Sequence, residues 1–240
     1  LKTSDTETND MSETIKNFIS GQEIGSTDSF DKLNPHNADL LFKVSRSGAP
    51  EVQGSVDAAK AAQKAWADLT PVKRGALLHD VCMALKTQRE EMAHMVAQET
   101  GKAFKEALGE TDGAIALGLY FSGEGQRLYG RTQTSGADNR SSMTIRTPIG
   151  VAGLIIAANT PIANIAWKVF PALICGNSAI VKAAEDTPGT ADLFARIAHK
   201  AGLPPGVLNI IQGLGHEAGA YLVENPGVDL VSFTGSTRVG

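Results

Sequence analysis

Cysteine is nearly absent from this chain: Cys82 and Cys175 are the two present in 240 residues. Two thiols build neither a disulfide framework nor a zinc site, so a reducing, cytoplasmic setting is expected. Positive charge is in deficit as well. Twenty-two Lys and Arg against 26 Asp and Glu leave a formal charge of −4, which gives no electrostatic footprint for nucleic acid or for an anionic membrane. Long apolar runs are missing too. The longest, Val151 to Ala158, is interrupted by Gly153 and falls far short of the ~18–20 residues that span a bilayer. No basic stretch followed by an apolar one stands at the start, so no secretory signal is expected. Aromatics make up only 5% of the residues. What remains, 42% hydrophobic and 20% charged, describes a globular chain of one large domain or two small ones, with a core that needs no staples.

The first 17 residues are polar, with an unbroken polar run from Thr3 to Asp10, and are expected to form a loose tail. From Phe18 to Val44, short apolar pieces are split by Gly21, Gly25 and Pro35. Phe18–Ile24 reads as a small hairpin turning at Ser20-Gly21. The period then changes: Val52, Val56, Ala59, Gln63 and Trp66 fall near helical spacing. Thr70-Pro71 predicts the capped start of a second helix. Thr87 and Glu90 predict a capping box for a third, which Gly101 closes. A fourth helix is expected from Phe104 to about Phe121. The glycine-rich stretch from Gly123 to Gly136 reads as turns, and Ser142–Arg146 as a half-exposed strand.

After Pro148 the character changes again. Val151–Ile156, Ser178–Lys182, Val207–Ile211 and Val228–Phe233 are short apolar runs. Between them lie helical stretches at Ile162–Ile174, Pro188–Ala201 and His216–Glu224. Thr187-Pro188 predicts a cap, and Gly202 followed by Pro204 a stop. This alternation implies βαβ units, hence a parallel sheet with helices on both faces. The expected fold is a doubly wound, Rossmann-like α/β core over 148–240. A hairpin-and-helix region over 18–128 and a β arm over 129–147 precede it.

In such sheets ligands bind beyond the carboxyl ends of the strands. The residues there are Asn159 after the first strand, Lys182 and Glu185 at the second, Gly213 and Gly215 after the third, and Gly235 and Ser236 after the fourth. Glycines let backbone N–H groups approach a pyrophosphate, and a helix start supplies the positive end of its dipole. Each signal alone is weak. Gly213-Leu-Gly215-His-Glu-Ala-Gly219 has one residue too many for a dinucleotide fingerprint, and the turn after Phe233 lacks the ending of a P-loop. Lys182 with Glu185 alone reads as an ordinary surface pair worth under ~1 kcal/mol. Their common edge is the stronger signal. Cys175 and Cys82 read as core thiols that resist ionisation. The five histidines show no ligand spacing, so no metal site is expected.

Taken together, several motifs resemble the NAD(P)-dependent aldehyde dehydrogenase superfamily: Pro148-Ile-Gly-Val151, Ile156-Ala-Ala-Asn159-Thr-Pro161, Lys168, Pro171-Ala-Leu-Ile-Cys-Gly-Asn177, Val181-Lys182-Ala-Ala-Glu185-Asp-Thr-Pro188, Ala201-Gly-Leu-Pro-Pro-Gly-Val-Leu-Asn209 and Phe233-Thr-Gly-Ser236. The likeness runs from about Phe18 to Gly240. It implies that Asn159 and Lys168 belong to the catalytic machinery. Asn159 would donate its amide to the oxyanion of a cysteine thiohemiacetal, and Lys168 would support proton movement or structure. It implies a cofactor seat in which Lys182 and Glu185 hold the adenosine ribose. Gly235 and Ser236 would face the pyrophosphate, Gly213 and Gly215 the adenine side, and Ile156, Ala157, Phe233 and Thr234 would complete the wall. A carboxylate at 185 would repel a 2′-phosphate, which favours NAD over NADP. The strand Ser142–Arg146 resembles part of an oligomerisation arm, implying a homodimer or homotetramer formed by strand addition.

Two positions depart from the family pattern: Ala158 replaces an aromatic residue and Ala183 a proline. The family's nucleophilic cysteine and general-base glutamate follow the Phe-Thr-Gly-Ser motif by some tens of residues, beyond Gly240. The chain is therefore expected to be the cofactor-binding half of a longer enzyme that oxidises an aldehyde, and to be inactive alone. Two alternatives stay open: a truncated, non-catalytic nucleotide-binding or assembly module, and a branch acting on acyl-CoA or acyl-phosphate.

Overall fold

The computed structural model describes residues 14–240. In chain order the N-terminal strands are β1 (Thr14–Ile15), β2 (Asn17–Ile19), β3 (Gln22–Ile24), β4 (Asp28–Leu33) and β5 (Leu40–Arg46). Four helices follow: α1 (Ala49–Asp68), α2 (Pro71–Thr87), α3 (Arg89–Thr100) and α4 (Phe104–Gly123). A hairpin of β6 (Thr132–Thr134) and β7 (Ser141–Met143) leads into β8 (Val151–Ile155), α5 (Pro161–Ile174), β9 (Ser178–Lys182), α6 (Pro188–Lys200), β10 (Leu208–Ile211), α7 (Ala220–Glu224) and β11 (Leu230–Phe233).

The loose tail expected over 1–17 gives way to structure at Thr14; residues 1–13 lie outside the described residues. Asn17 is fully buried, and its Oδ1 accepts from Ser47 Oγ at 2.9 Å and from the Gln212 amide at 2.8 Å. A polar residue takes that place because its bonds tie three distant segments together. The hairpin at Ser20-Gly21 forms as expected, with φ of 52° and 79°, the pair of positive values a two-residue turn needs. Strands β4 and β5 were not legible as strands. In a separate sheet ordered β1-β5-β4, β5 pairs with β1 on one side and β4 on the other.

The helix starts differ from one another. Thr70 caps α2 as predicted, accepting from the Lys73 amide at 3.3 Å. The capping box at Thr87 and Glu90 does not form: α3 starts after Gln88 without a side-chain cap, and the Thr87 hydroxyl donates back to Met83 O. Helices α2 and α3 abut with no loop between them, so Thr87 is still inside the first. Gly101 closes α3 with φ 73°. The β arm is shorter than expected. Its ladder pairs Thr132–Thr134 with Ser141–Met143 and leaves Ile145 and Arg146 outside it.

The main sheet has the order β11-β8-β9-β10-β2-β3. Strands β8 to β11 are parallel, whereas β2 and β3 add on antiparallel. The sheet is thus mixed rather than wholly parallel, because the N-terminal hairpin covers the edge that β10 would otherwise expose. Alternation along the strands sorts two faces. Ala152, Leu154, Ala179, Val181, Leu208 and Ile210 pack on α5 and α6. Val151, Ile180 and Ile211 face Val52, Val56 and Ala59 of α1 and Leu222 of α7. The chain steps from β8 to β9 to β10 through α5 and α6, then returns over the other face through α7 to β11 on the opposite flank of β8. That reversal opens a crevice between the carboxyl ends of β8 and β11.

Candidate functional site

The carboxyl edge of the four parallel strands carries every cofactor-site residue predicted from the sequence. Lys182, the last residue of β9, is 3% exposed, so it is no surface lysine. Its Nζ lies 3.4 Å from Glu185 Oε2, and that same oxygen accepts from the Gly215 amide at 3.0 Å. Burial holds the Lys182 ammonium below the ordinary lysine range, with Glu185 opposing. A Cβ at residue 215 would stand 3.7 Å from the Glu185 carboxylate. The carboxylate is half exposed, and its Oε1 takes no hydrogen bond among the described residues. It opens on a 310 Å³ cleft that it lines with Asp186, Leu214, Phe30 and Lys32.

Gly213 faces elsewhere. Its φ is 134°, and a Cβ there would meet Ser47 N at 3.1 Å and Ala218 Cβ at 3.0 Å. This glycine is needed where the turn passes the start of α1, not at the Lys182–Glu185 pair. Ile156 is buried and donates its amide to Lys182 O at 3.4 Å, which ties the ends of β8 and β9 together. Ala157 is half-buried beside it.

Asn159 stands exposed just before α5. Its Oδ1 receives the Asn164 side-chain amide at a long 3.5 Å, while Asn164 also donates to Thr160 O and Oγ1 at 3.0 Å each. The Asn159 N–H₂ takes no partner among the described residues and stays available as a donor. Across the crevice, the Thr234 amide extends the β11 ladder to Ile155 O at 3.1 Å. The half-exposed Phe233 ring folds over Gly235, where a Cβ would come within 2.4 Å of it. Ser236 follows in a turn whose carbonyl accepts from Val239 and Gly240 at 3.1 Å.

Lys168 does not join Asn159. It lies some two helical turns further along α5, or about 10 Å, and its Nζ donates to Ser232 Oγ of β11 at 2.7 Å. Burial lowers its pKa. It opens on a 570 Å³ cleft shared with Arg74, Arg146, Trp167, Cys175 and Ser232, and among the described residues no carboxylate lines that cleft. Cys175 corrects the sequence reading: it is exposed at the end of α5 rather than packed in the core. Desolvation still raises its thiol, opposed by Arg74 and Arg146. Cys82 is fully buried among core residues as expected, and burial pushes its thiol up to about 12. Among the described residues no three of His, Cys, Asp and Glu gather as a metal would need, and no helix is long and apolar enough to cross a membrane.

Some residues that shape the site escape the sequence reading. Thr187 does not cap α6: its hydroxyl is buried without a partner among the described residues. The donors at that helix start go to Glu99 of α3 instead. The start of α5 is likewise served by Glu110 of α4. These partners lie 53 to 91 residues away, beyond the reach of any local motif.

The profile of the Aldehyde dehydrogenase family matches residues 22–240. An α-ketoglutarate semialdehyde dehydrogenase of Haloferax volcanii is 36% identical over 233 residues, which cover 96% of this chain and 48% of that protein. An NADP-dependent enzyme of E. coli superposes with a TM-score of 0.92 at 34% identity, over 95% of this chain and 48% of its own. The NAD⁺ complex of an aldehyde dehydrogenase from Bacillus cereus superposes with a TM-score of 0.92 at 32% identity, over 95% and 47%. The chain thus spans about half the length of the relatives it matches. With the sheet reversal, the buried lysine–carboxylate pair and this coverage taken together, the chain belongs to the aldehyde dehydrogenase family.

Proposed function

We propose that the protein carrying this chain oxidises an aldehyde to a carboxylic acid with NAD, and that these residues supply the cofactor seat and the oxyanion donor. The observation that carries the reading is a convergence on one sheet edge. The Asn159 amide, the Lys182–Glu185 pair and the Gly235-Ser236 turn all lie at carboxyl ends of neighbouring parallel strands.

The donor set fits a dinucleotide. Glu185 has a free carboxylate oxygen for ribose hydroxyls, Lys182 is fixed beside it, and Gly215 keeps the approach clear of a side chain. A bound nicotinamide supplies the hydride acceptor. The Glu185 charge disfavours a 2′-phosphate, which supports NAD over NADP. Asn159 is aimed by Asn164 and offers its N–H₂ to a developing oxyanion, and Lys168 holds a proton-carrying amine on α5 against Ser232. The nucleophile and the general base are assigned to residues outside this chain. Cys82 is buried, and Cys175 is separated from Asn159 by the 14 residues of α5, about 20 Å of helix. The exposed β6–β7 hairpin takes the oligomerisation role, offering its edge to a second copy.

The test is reduction of NAD and of NADP by the full-length gene product over a panel of aldehydes, with Asn159→Ala beside it. The expected result is NAD-linked turnover that falls about 10²–10³-fold in kcat in the variant, the size of one lost oxyanion donor. Acid formation that Asn159→Ala leaves untouched would overturn the assignment.

A further inference from the structure

Two carboxylates of the helical layer end on the first turns of the two helices that carry the site. Helices α5 and α6 both begin Thr-Pro, so a proline at the first position already removes one unpaired N–H. Neither threonine hydroxyl caps its own helix. Glu99, 2% exposed on α3, does so for α6. It accepts from the Gly189 amide at 2.6 Å, the Thr190 amide at 2.9 Å and Thr190 Oγ1 at 2.7 Å. Glu110, its side chain 8% exposed on α4, does so for α5. Its Oε1 accepts from the Ala163 amide at 3.2 Å, while Oε2 takes the Lys102 ammonium. Carboxylates are favoured at such ends by both the unpaired N–H groups and the helix dipole.

Each helix carries half of the candidate site just ahead of its capped turn. Asn159 precedes Pro161 by two residues, and Glu185 precedes Pro188 by three. The segment between Lys182 and Pro188 hangs from few further points. Ala183 N donates to Ile211 O at 3.0 Å, Thr187 N to Ala184 O at 3.0 Å, and Gln212 Nε2 to Pro188 O at 3.1 Å. The helix start is therefore a principal anchor of the loop that presents Glu185. The Asn159 loop depends on α5 in the same way, since both its aiming partner Asn164 and the capped Ala163 lie in that helix's first turn.

Resting on the function proposed above, we propose that Glu99 and Glu110 are positioning residues that act on separate halves of the site. Glu99 sets Glu185 for the cofactor ribose, and Glu110 sets Asn159 for the oxyanion. The two carboxylates come from different helices and end on different helices, so their effects divide between cofactor binding and turnover.

The experiment measures the Kd for NAD and kcat at saturating NAD and aldehyde, in the full-length gene product and in Glu99→Gln and Glu110→Gln. Glu99→Gln is expected to raise the Kd for NAD about tenfold with kcat within about twofold, the scale of one lost helix cap. Glu110→Gln is expected to lower kcat about tenfold with the Kd within about twofold. A merely structural role would shift thermal stability and move both parameters together. Equal loss of both parameters in both variants, or no change in either, overturns the proposal. Should Glu99→Gln not fold, Thr190→Val, which removes one of the three bonds to Glu99, decides that half, and an unchanged Kd overturns it. Should Glu110→Gln not fold, Glu110→Asp decides the other, and an unchanged kcat overturns it. Wild-type protein that binds no NAD overturns the function and this inference together. Wild-type binding without the divided effect overturns the positioning roles alone.

Discussion

Glycine-to-alanine substitutions along α4 should change sign within three turns of one helix. Gly109, Gly113 and Gly118 all lie in Phe104–Gly123. A Cβ at 109 or 113 meets nothing within 4 Å, so alanine there gains its helix propensity of about 1 kcal/mol without opposition. At 118 a Cβ would stand 2.5 Å from Cys82 Sγ and 2.7 Å from the Phe170 ring, both fully buried. Neither is the loose end of a flexible side chain, and the Phe170 ring is itself wedged edge-on to Phe194 at 6.0 Å. Forcing one carbon into such a seam costs about 1–3 kcal/mol or more, which offsets and then exceeds the propensity gain. The assay is the thermal midpoint of the full-length protein at one fixed scan rate, because unfolding of a chain this size need not be two-state. Gly109→Ala and Gly113→Ala should match or exceed the wild type, and Gly118→Ala should fall below it. A Gly118→Ala midpoint equal to that of Gly113→Ala would refute the reasoning, since it would mean that α4 and α5 separate at no cost.

The Glu99 carboxyl is held at about 7, chiefly by burial, with its three donors and Lys32 opposing. Its folded pKa lies above the free value of 4.5, so the stability it contributes is present below pH 4.5 and is lost as pH rises through 7. Denaturation midpoints of wild type and Glu99→Gln should therefore diverge across that window, the wild type losing ground as pH rises; parallel profiles would sink the idea. Arg74 donates to the carbonyls of Ala67, Leu69 and Ile174, closing the ends of α1 and α5. Arg74→Met should cost about 3 kcal/mol through orphaned acceptors, and a denaturation midpoint within error of wild type would contradict this. Glu185→Gln should lower the preference for NAD over NADP by about tenfold, or 1.4 kcal/mol, read as the ratio of kcat/KM values; an unchanged ratio would remove Glu185 from cofactor choice.

What was legible in the sequence was local. Strands β8, β9 and β10 appear as short apolar runs because strands buried on both faces cannot carry polar alternation, and β9 matched Ser178–Lys182 residue for residue. Helix α1 announced itself by period and α2 by its Thr70-Pro71 start, and Gly101 and Gly202 mark helix ends by the positive φ each requires. The site was legible as a set of strand ends, since topology places those on one edge whatever the side chains do. Tertiary structure decided the rest. Strand β4 is largely exposed and polar, so only its pairing with β5 defines it, while Phe42 and Val44 of β5 are buried in a small cluster with Ile15 that only the folded sheet assembles. Cys175 looked like core because its neighbours in sequence are apolar, yet α5 ends one residue earlier and turns it into a cleft. Thr87 and Thr187 carried the local signature of a cap and cap nothing: Thr87 is still inside α2 and donates back to Met83 O, and at Thr187 Glu99 arrives from α3 as the acceptor instead. A hydrogen bond to a helix start depends on distance in space alone. Sequence therefore determined which segments become strands and helices, and packing determined which distant carboxylate holds each helix end in place.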